Sequence, residues 1–209
     1  SDLRTGAFSG GSGEEALAMS ACAQLGRFYD LPTSVAASMT DAKLPDAQAG
    51  FEKGISAVTG GLAGANRILE SAGMLGSLMG CSFEALMIDN DMLGMAQRVV
   101  AGIEVNDETL SLEVIREAAL GPGHYLGQPQ TLELMETDYL YPELADRTAT
   151  GVWEEEGSLD IMARARDSVK ELLSSHYPVY IDPQTDALIR DRFPIRLAAE
   201  DMRADSNRW

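Results

Sequence analysis

Thr33-Ser34-Val35-Ala36-Ala37-Ser38, followed by Thr40-Asp41-Ala42-Lys43-Leu44-Pro45-Asp46-Ala47-Gln48, is the stretch whose reading decides the fold. The first six residues are small or β-branched and predict a short buried strand. The polar block from 40 to 48 then falls at the C-terminal end of that strand. From Gln48 the apolar residues change period. Phe51, Ile55, Val58 and Leu62 recur at intervals of four, three and four, which predicts a helix. Asp46 stands where a helix N-cap is wanted.

The same order repeats downstream. Arg67-Ile68-Leu69-Glu70-Ser71 reads as a second short strand, with Ala72-Gly73-Met74 after it. Ala85, Ile88, Met92, Met95 and Val99 mark one face of a further helix. Upstream, Gly6 to Gly13 holds four glycines in eight residues and reads as a loop. Ser12 with Glu15 forms a capping-box signature, so a helix is expected from there to about Tyr29. Leu31-Pro32 ends it. Strand, polar loop and helix in alternation predict an α/β chain with parallel strands, whose chemistry gathers at the C-terminal strand ends. Both the 40–48 block and Glu70-Ser71 would lie there.

Beyond Asn106 the character changes. An amphipathic helix is expected over 107–120, closed by Gly121-Pro122-Gly123. His124 to Tyr141 is rich in aromatics and glutamine. A helix over about 158–173 would carry Leu159, Met162, Ala165, Val169 and Leu172 on one face, and Ser174 to Pro178 ends it. Asp182-Pro183 supplies an N-cap and N1 pair for a short helix to about Arg192. The tail from about 198 to 209 reads as polar and frayed.

Composition bounds the function. The 209 residues are 45% hydrophobic and 23% charged, as in a folded globular protein, with a formal net charge of −17. That charge disfavours nucleic acid and anionic membranes as partners. It suits a cationic substrate or basic partner, and equally a solvated acidic surface. The longest uncharged stretches, 54–66 and 71–83, are 13 residues each, short of the roughly 20 a membrane helix needs. Cys22 and Cys81 sit in no metal-binding pattern and are expected to be buried thiols in a reducing cytoplasm. His124 and His176 are too far apart in sequence to suggest a histidine metal site. No signal peptide is visible, and the chain opens without an initiator Met, as a fragment would.

Three constellations bear chemistry. The first is the run from Thr40 and Asp41 through Lys43 and Asp46 to Gln48, followed by Glu52-Lys53. Lys43 is either a catalytic amine or an ion-pair clamp between carboxylates. The second is Glu70-Ser71. A carboxylate at a buried strand end needs a cation, either Arg67 or Lys43 in a salt bridge or the charge of a substrate. The third is Gly123-His124-Tyr125-Leu126-Gly127, which either enters a site or caps a helix. The glycine-rich loop over 6–13 either cradles phosphate or merely feeds a helix. The methionines at 74, 79, 87, 92 and 95 read as core filling rather than a cofactor box.

Asp2-Leu3-Arg4-Thr5-Gly6, the block from Thr40 to Lys53, and Gly123-His124-Tyr125-Leu126-Gly127 with Gln130-Thr131-Leu132 together resemble the trimethylamine methyltransferase family. The block over 40–53 is the most specific part. The resemblance implies a TIM-barrel type (βα)8 fold. This chain would supply only the C-terminal half, with barrel βα units over 1–106 and a helical extension packed on the barrel over 107–209. An open sheet edge would then need covering. It further implies transfer of a methyl group from a methylated amine to the cobalt of cobalamin, a corrinoid carried by a partner protein, in a cytoplasmic homo-oligomer. Trimethylamine enzymes carry pyrrolysine, which is not written here. Relatives without it resemble enzymes that use quaternary amines such as glycine betaine. Asp41, Lys43 and Glu70 are the implied catalytic residues. Arg4, Thr40, Gln48, Ser71, His124 and Tyr125 are the implied substrate contacts. No metal ligand is implied on the chain itself. The alternatives are a non-catalytic half-barrel fragment and a different barrel enzyme that uses Lys43 as an amine or base.

Overall fold

The computed structural model describes residues 1–177 and 179–203. They fall in two compact units, Ser1–Arg147 and Thr148–Trp209. The first unit opens with helix α1 (Gly13–Phe28), strand β1 (Ser34–Ala36), helix α2 (Ala47–Leu62) and strand β2 (Arg67–Leu69). Strands β3 (Met74–Leu75) and β4 (Gly80–Cys81) follow, then helices α3 (Phe83–Ala101), α4 (Leu112–Leu120) and α5 (Pro129–Thr137). The second unit carries α6 (Thr150–Glu155), α7 (Ile161–Ser175), α8 (Pro183–Arg192) and a 3-10 turn over Glu200–Met202. The frayed tail expected over 198–209 lies outside the described residues from 204 on, as does Pro178. Among the described residues no helix is long and apolar enough to cross a membrane.

The chain is helix-rich α/β with two small sheets, and neither sheet closes into a barrel. β1 and β2 pair in parallel, with Val35 opposite Ile68, so their C-terminal ends emerge at one edge. β3 and β4 form a separate antiparallel pair. Caps fix the helix starts that position the site. Asp46 accepts from the N–H groups of Gln48 and Ala49 at 2.9 and 3.3 Å. Ser12 accepts from the Glu15 N–H at 3.2 Å, and Asp182 caps α8 in the same manner.

The core is built from small side chains. Ala23, Val35, Ala37 and Ala63 form one cluster, bordered by Met19, Ala65 and Ile68. A Cβ on Gly60 would touch Val35, Ala37 and Ile68 at 3.7–3.8 Å, so α2 lies close against the strand pair. That close approach decides which face of α2 turns inward. Ala49, Lys53, Ser56, Ala57 and Gly60 face inward. Phe51 and Leu62 are 57% and 56% exposed, Ile55 is exposed too, and Val58 is half-buried. A helical period reveals that faces exist. It does not say which one the strands receive, and here they receive the face whose small residues permit contact.

Other expectations are corrected. Cys22 and Cys81 are both exposed, not buried. Met79 and Met95 are exposed, not core filling, while Met39 is buried. The segment after His124 contains α5, which starts at Pro129 as a proline at N1 allows. α4 begins at Leu112, several residues later than its apolar pattern suggests.

Candidate functional site at the strand ends

A residue of left-handed backbone follows each parallel strand, two residues past β1 and directly after β2. Ser38 has φ of 62° and Glu70 has φ of 61°. Such a conformation is uncommon for a side chain with a Cβ and needs support from its surroundings. Ser38 has it. Its N–H donates to Ser56 Oγ of α2 at 2.8 Å, and its hydroxyl donates to the Ser71 carbonyl at 3.0 Å. The two strand ends are thereby tied together, with α2 beneath them.

Three segments converge on the loop that follows. The turn after β3 donates from the Gly76 and Ser77 N–H groups to the carbonyls of Ala42 and Thr40, at 2.7 and 2.8 Å. The glycine-rich loop closes from the other side. The Gly10 N–H donates to Asp41 Oδ1 at 2.8 Å, and the Ser9 hydroxyl donates to Asp41 Oδ2 at 2.5 Å. Ser77 donates its hydroxyl to Asp41 as well. From α2, Glu52 Oε2 accepts from the Thr40 hydroxyl at 2.6 Å and from the Asp41 N–H at 2.8 Å. Its Oε1 accepts from the Gln48 amide at 2.9 Å.

Each carboxylate has its own electrostatic setting. Burial works to raise the Asp41 pKa. Hydrogen bonds from Ser77, Ser9, Gly10 and Gly11 outweigh it and hold the group below the ordinary aspartate value. The glycine-rich loop therefore spends its N–H groups on a carboxylate of this chain, not on a phosphate. A Cβ on Gly11 would press on the Glu52 carboxylate and lie 2.8 Å from the Asp41 nitrogen, so the approach requires glycine. Glu15 is the opposite case. Both of its carboxylate oxygens are buried without a hydrogen-bond partner. Burial first, and the nearby Asp41 charge second, push its pKa up to about 7. The capping box is thus half made, because the Glu15 side chain does not return to cap α1.

Deeper in the same unit, Lys53 of α2 pairs with Asp89 of α3, and only 1% of the Lys53 side chain is exposed. The Gly73 N–H donates to the same Asp89 oxygen at 2.7 Å. Burial raises the Asp89 pKa against the pull of Lys53 and Gly73. The pair pins the segment after β2 to both helices.

The structure brings together Thr40, Asp41, Gln48 and Glu52, and Ser71 through its carbonyl. Lys43 is exposed, and its Nζ donates to the Asp41 carbonyl at 2.6 Å rather than bridging carboxylates. Glu70 is also exposed, and among the described residues it joins neither Arg67 nor Lys43 in an ion pair. Arg4 pairs with its neighbour Asp2 at 2.7 Å. His124 and Tyr125 are exposed on the loop before α5, and among the described residues no hydrogen bond joins them to the cluster. Sequence reasoning missed Ser9, Ser77, Glu15 and the Lys53–Asp89 pair. The only local signal was a lysine among the alanine, serine and glycine residues of α2.

The family described as trimethylamine methyltransferase (MTTB) matches residues 1–199, and the chain belongs to it. It is similar to a trimethylamine methyltransferase of Methanosarcina thermophila, 43% identical over 182 residues, or 87% of this chain and 37% of that protein. It is 34% identical over 190 residues to a glycine betaine methyltransferase of Desulfitobacterium hafniense, covering 91% of this chain and 39% of the relative. A trimethylamine methyltransferase of Desulfitobacterium hafniense is 32% identical over 180 residues, 86% of this chain and 36% of its own. The chain therefore spans less than two-fifths of the length of these curated relatives.

Proposed function

We propose that the protein moves a methyl group from a quaternary methylated amine of the glycine betaine kind to the reduced corrinoid of a partner protein, within the family's barrel architecture. The corrinoid is a second substrate in this reading, brought by its carrier, and it supplies the nucleophile. The observation that carries the proposal is the set of carboxylates at the common C-terminal edge of a parallel strand pair, in a chain of this family. Parallel α/β folds use that edge for chemistry.

A quaternary ammonium is permanently cationic and attracted to such an edge. Its amine leaves neutral, keeping the electron pair of the broken C–N bond, so no acid is required to activate it. The protein's work is then to orient the methyl carbon in line and to exclude water. Asp41, held ionised by its donors, fixes the loops and adds negative potential. Glu70 and Lys43, exposed beside the strand ends, are assigned to the ammonium and the carboxylate of a zwitterionic substrate. Lys43 is only partly engaged by the Asp41 carbonyl and keeps two further donors.

The test is a methyl-transfer assay on the full-length protein with reduced corrinoid acceptor, against quaternary amines and trimethylamine. The expected result is methyl-cobalt formation, read by absorbance, with a quaternary amine as donor. Transfer from trimethylamine alone would overturn the substrate class. Transfer from none would overturn the proposal.

A further inference from the structure

Along α3 the fold leaves a groove of about 860 Å³ between the C-terminal half of that helix and α5. Its floor is the α3 row Gly94, Gln97 and Ala101, and its far wall carries Leu134, Tyr139 and Leu140. A smaller hollow of about 280 Å³ continues it past Gly94 to Asn90 and Tyr141. Together they follow α3 for about 16 Å, at 1.5 Å per residue. The walls are tied, so the groove is built into the unit. Arg98 donates from Nε to the Asp138 carbonyl at 3.1 Å and from Nη1 to the Gly102 carbonyl at 2.7 Å. Gln130 donates to the Glu108 carbonyl at 3.3 Å. Asp91 accepts from the N–H groups of Glu143, Leu144 and Ala145 at 3.1, 2.8 and 2.9 Å. None of these residues belongs to the strand-end cluster.

Charge at this groove has one sign. Glu104, Glu108, Glu133 and Asp138 line it, all exposed. Among the described residues none of the four pairs with a lysine or arginine. From Ala101 to Asp146 the sequence holds ten carboxylates against one arginine, Arg116, and no lysine. Arg116 is taken by Glu113 at 2.8 Å, and Arg98 by its two carbonyls. The acidic rim surrounds apolar surface. Ile103 is 86% exposed and Tyr139 is 67% exposed, and Tyr139 stacks on Tyr141 with ring centroids 6.4 Å apart. Exposed apolar side chains ringed by one sign of charge suit a partner of the opposite charge. A tyrosine face adds attraction for an ammonium or guanidinium. We propose that the groove docks a basic segment of a partner protein. Its lysines or arginines meet Glu104, Glu108 and Glu133, and an apolar residue enters between Leu134 and Leu140. An acidic partner is repelled by the same rim. The inference goes beyond the proposed methyl transfer and does not depend on it.

The experiment titrates the full-length protein with a labelled synthetic peptide of about twelve residues, some three turns of helix, in which pairs of lysines alternate with single leucines. Binding is read by fluorescence anisotropy at about 0.15 M salt, where distant charges are screened. Saturable binding is expected, at least about tenfold weaker for a peptide with serine in place of leucine. The combined variant Glu104→Gln, Glu108→Gln and Glu133→Gln should bind about tenfold more weakly than wild type. Glu154→Gln, Glu155→Gln and Glu156→Gln together remove the same charge from the second unit, and should leave binding within about twofold. Carbodiimide coupling needs no variant, and in the wild type it should join peptide lysines to Glu104, Glu108 or Glu133. Equal weakening by the two combined variants means that net charge alone attracts the peptide, and overturns the inference. So does equal affinity for the serine peptide, or coupling confined to other carboxylates. Absence of binding overturns it too, since the rest of the full-length chain would then fill the groove. Methyl transfer from glycine betaine is read separately, so either proposal can fall while the other stands.

Discussion

Asp41 and Glu15 are two carboxylates at the same edge of the fold with opposite surroundings. The loop after β1 receives donors from three directions, and its Asp41 is held ionised. The first turn of α1 offers its buried carboxylate no donor, and Glu15 stays protonated to about pH 7. Chemical identity is nearly the same, and the sign of the pKa shift is set by donor count against burial. Asp89 is an intermediate case, buried but joined to Lys53 and the Gly73 N–H. The contrast separates carboxylates that donors satisfy from one that burial alone keeps protonated.

The largest expected effect comes from breaking the satisfied pair. Lys53→Met leaves Asp89 buried and uncompensated, and should cost about 4 kcal/mol in urea unfolding. Adding Asp89→Leu should return part of it. A double variant no more stable than the single would show that Asp89 needs no counter-charge. Asp41→Ala strips the shared acceptor from Ser9, Ser77 and Gly10, and should cost about 3 kcal/mol by the same measurement. Gly11→Ala forces the loop off Glu52 and the Asp41 nitrogen, at about 2 kcal/mol. A neutral Gly11→Ala would mean the loop closes without close contact.

Glu15→Gln tests the other half of the comparison. The native pKa lies above the ordinary glutamate value of 4.5. The folded state therefore keeps a proton that the unfolded chain has lost. Its contribution is complete below about pH 4.5 and is lost as pH rises through about 7. Without ligand, thermal stability should fall across that window, and Glu15→Gln should flatten the fall by something on the order of 1 kcal/mol, reduced by partial solvent access. Cys22→Ser and Cys81→Ser, at exposed positions, should each change stability by less than about 0.5 kcal/mol.

What the sequence revealed was local. Asp46, Ser12 and Asp182 announce helix starts because a cap and its acceptors lie within three residues. The parallel strand pair with its polar ends was readable from the alternation of periods. The Lys53–Asp89 pair joins residues 36 apart, and Ser77 reaches Asp41 across another 36, so no window of sequence contains either. The two-residue strands β3 and β4 are too short to express a period of two. Glu15 was visible as half of a capping box, and only the fold shows that the second half is unmade. The face of α2 that binds the strands was not legible from its apolar period, because closeness of approach decided it.

That turned-out face of α2 has a colloidal consequence. The chain joins a formal charge of −17 to a ridge of Phe51, Ile55 and Leu62 open to water. Mutual repulsion keeps such molecules apart while the ridges would draw them together. Salt shortens the reach of the repulsion, and acid removes its source. Handled as a separate piece, this chain is at its most tractable in dilute, mildly alkaline buffer and should salt out or flocculate as the acidity of its own carboxylates is approached.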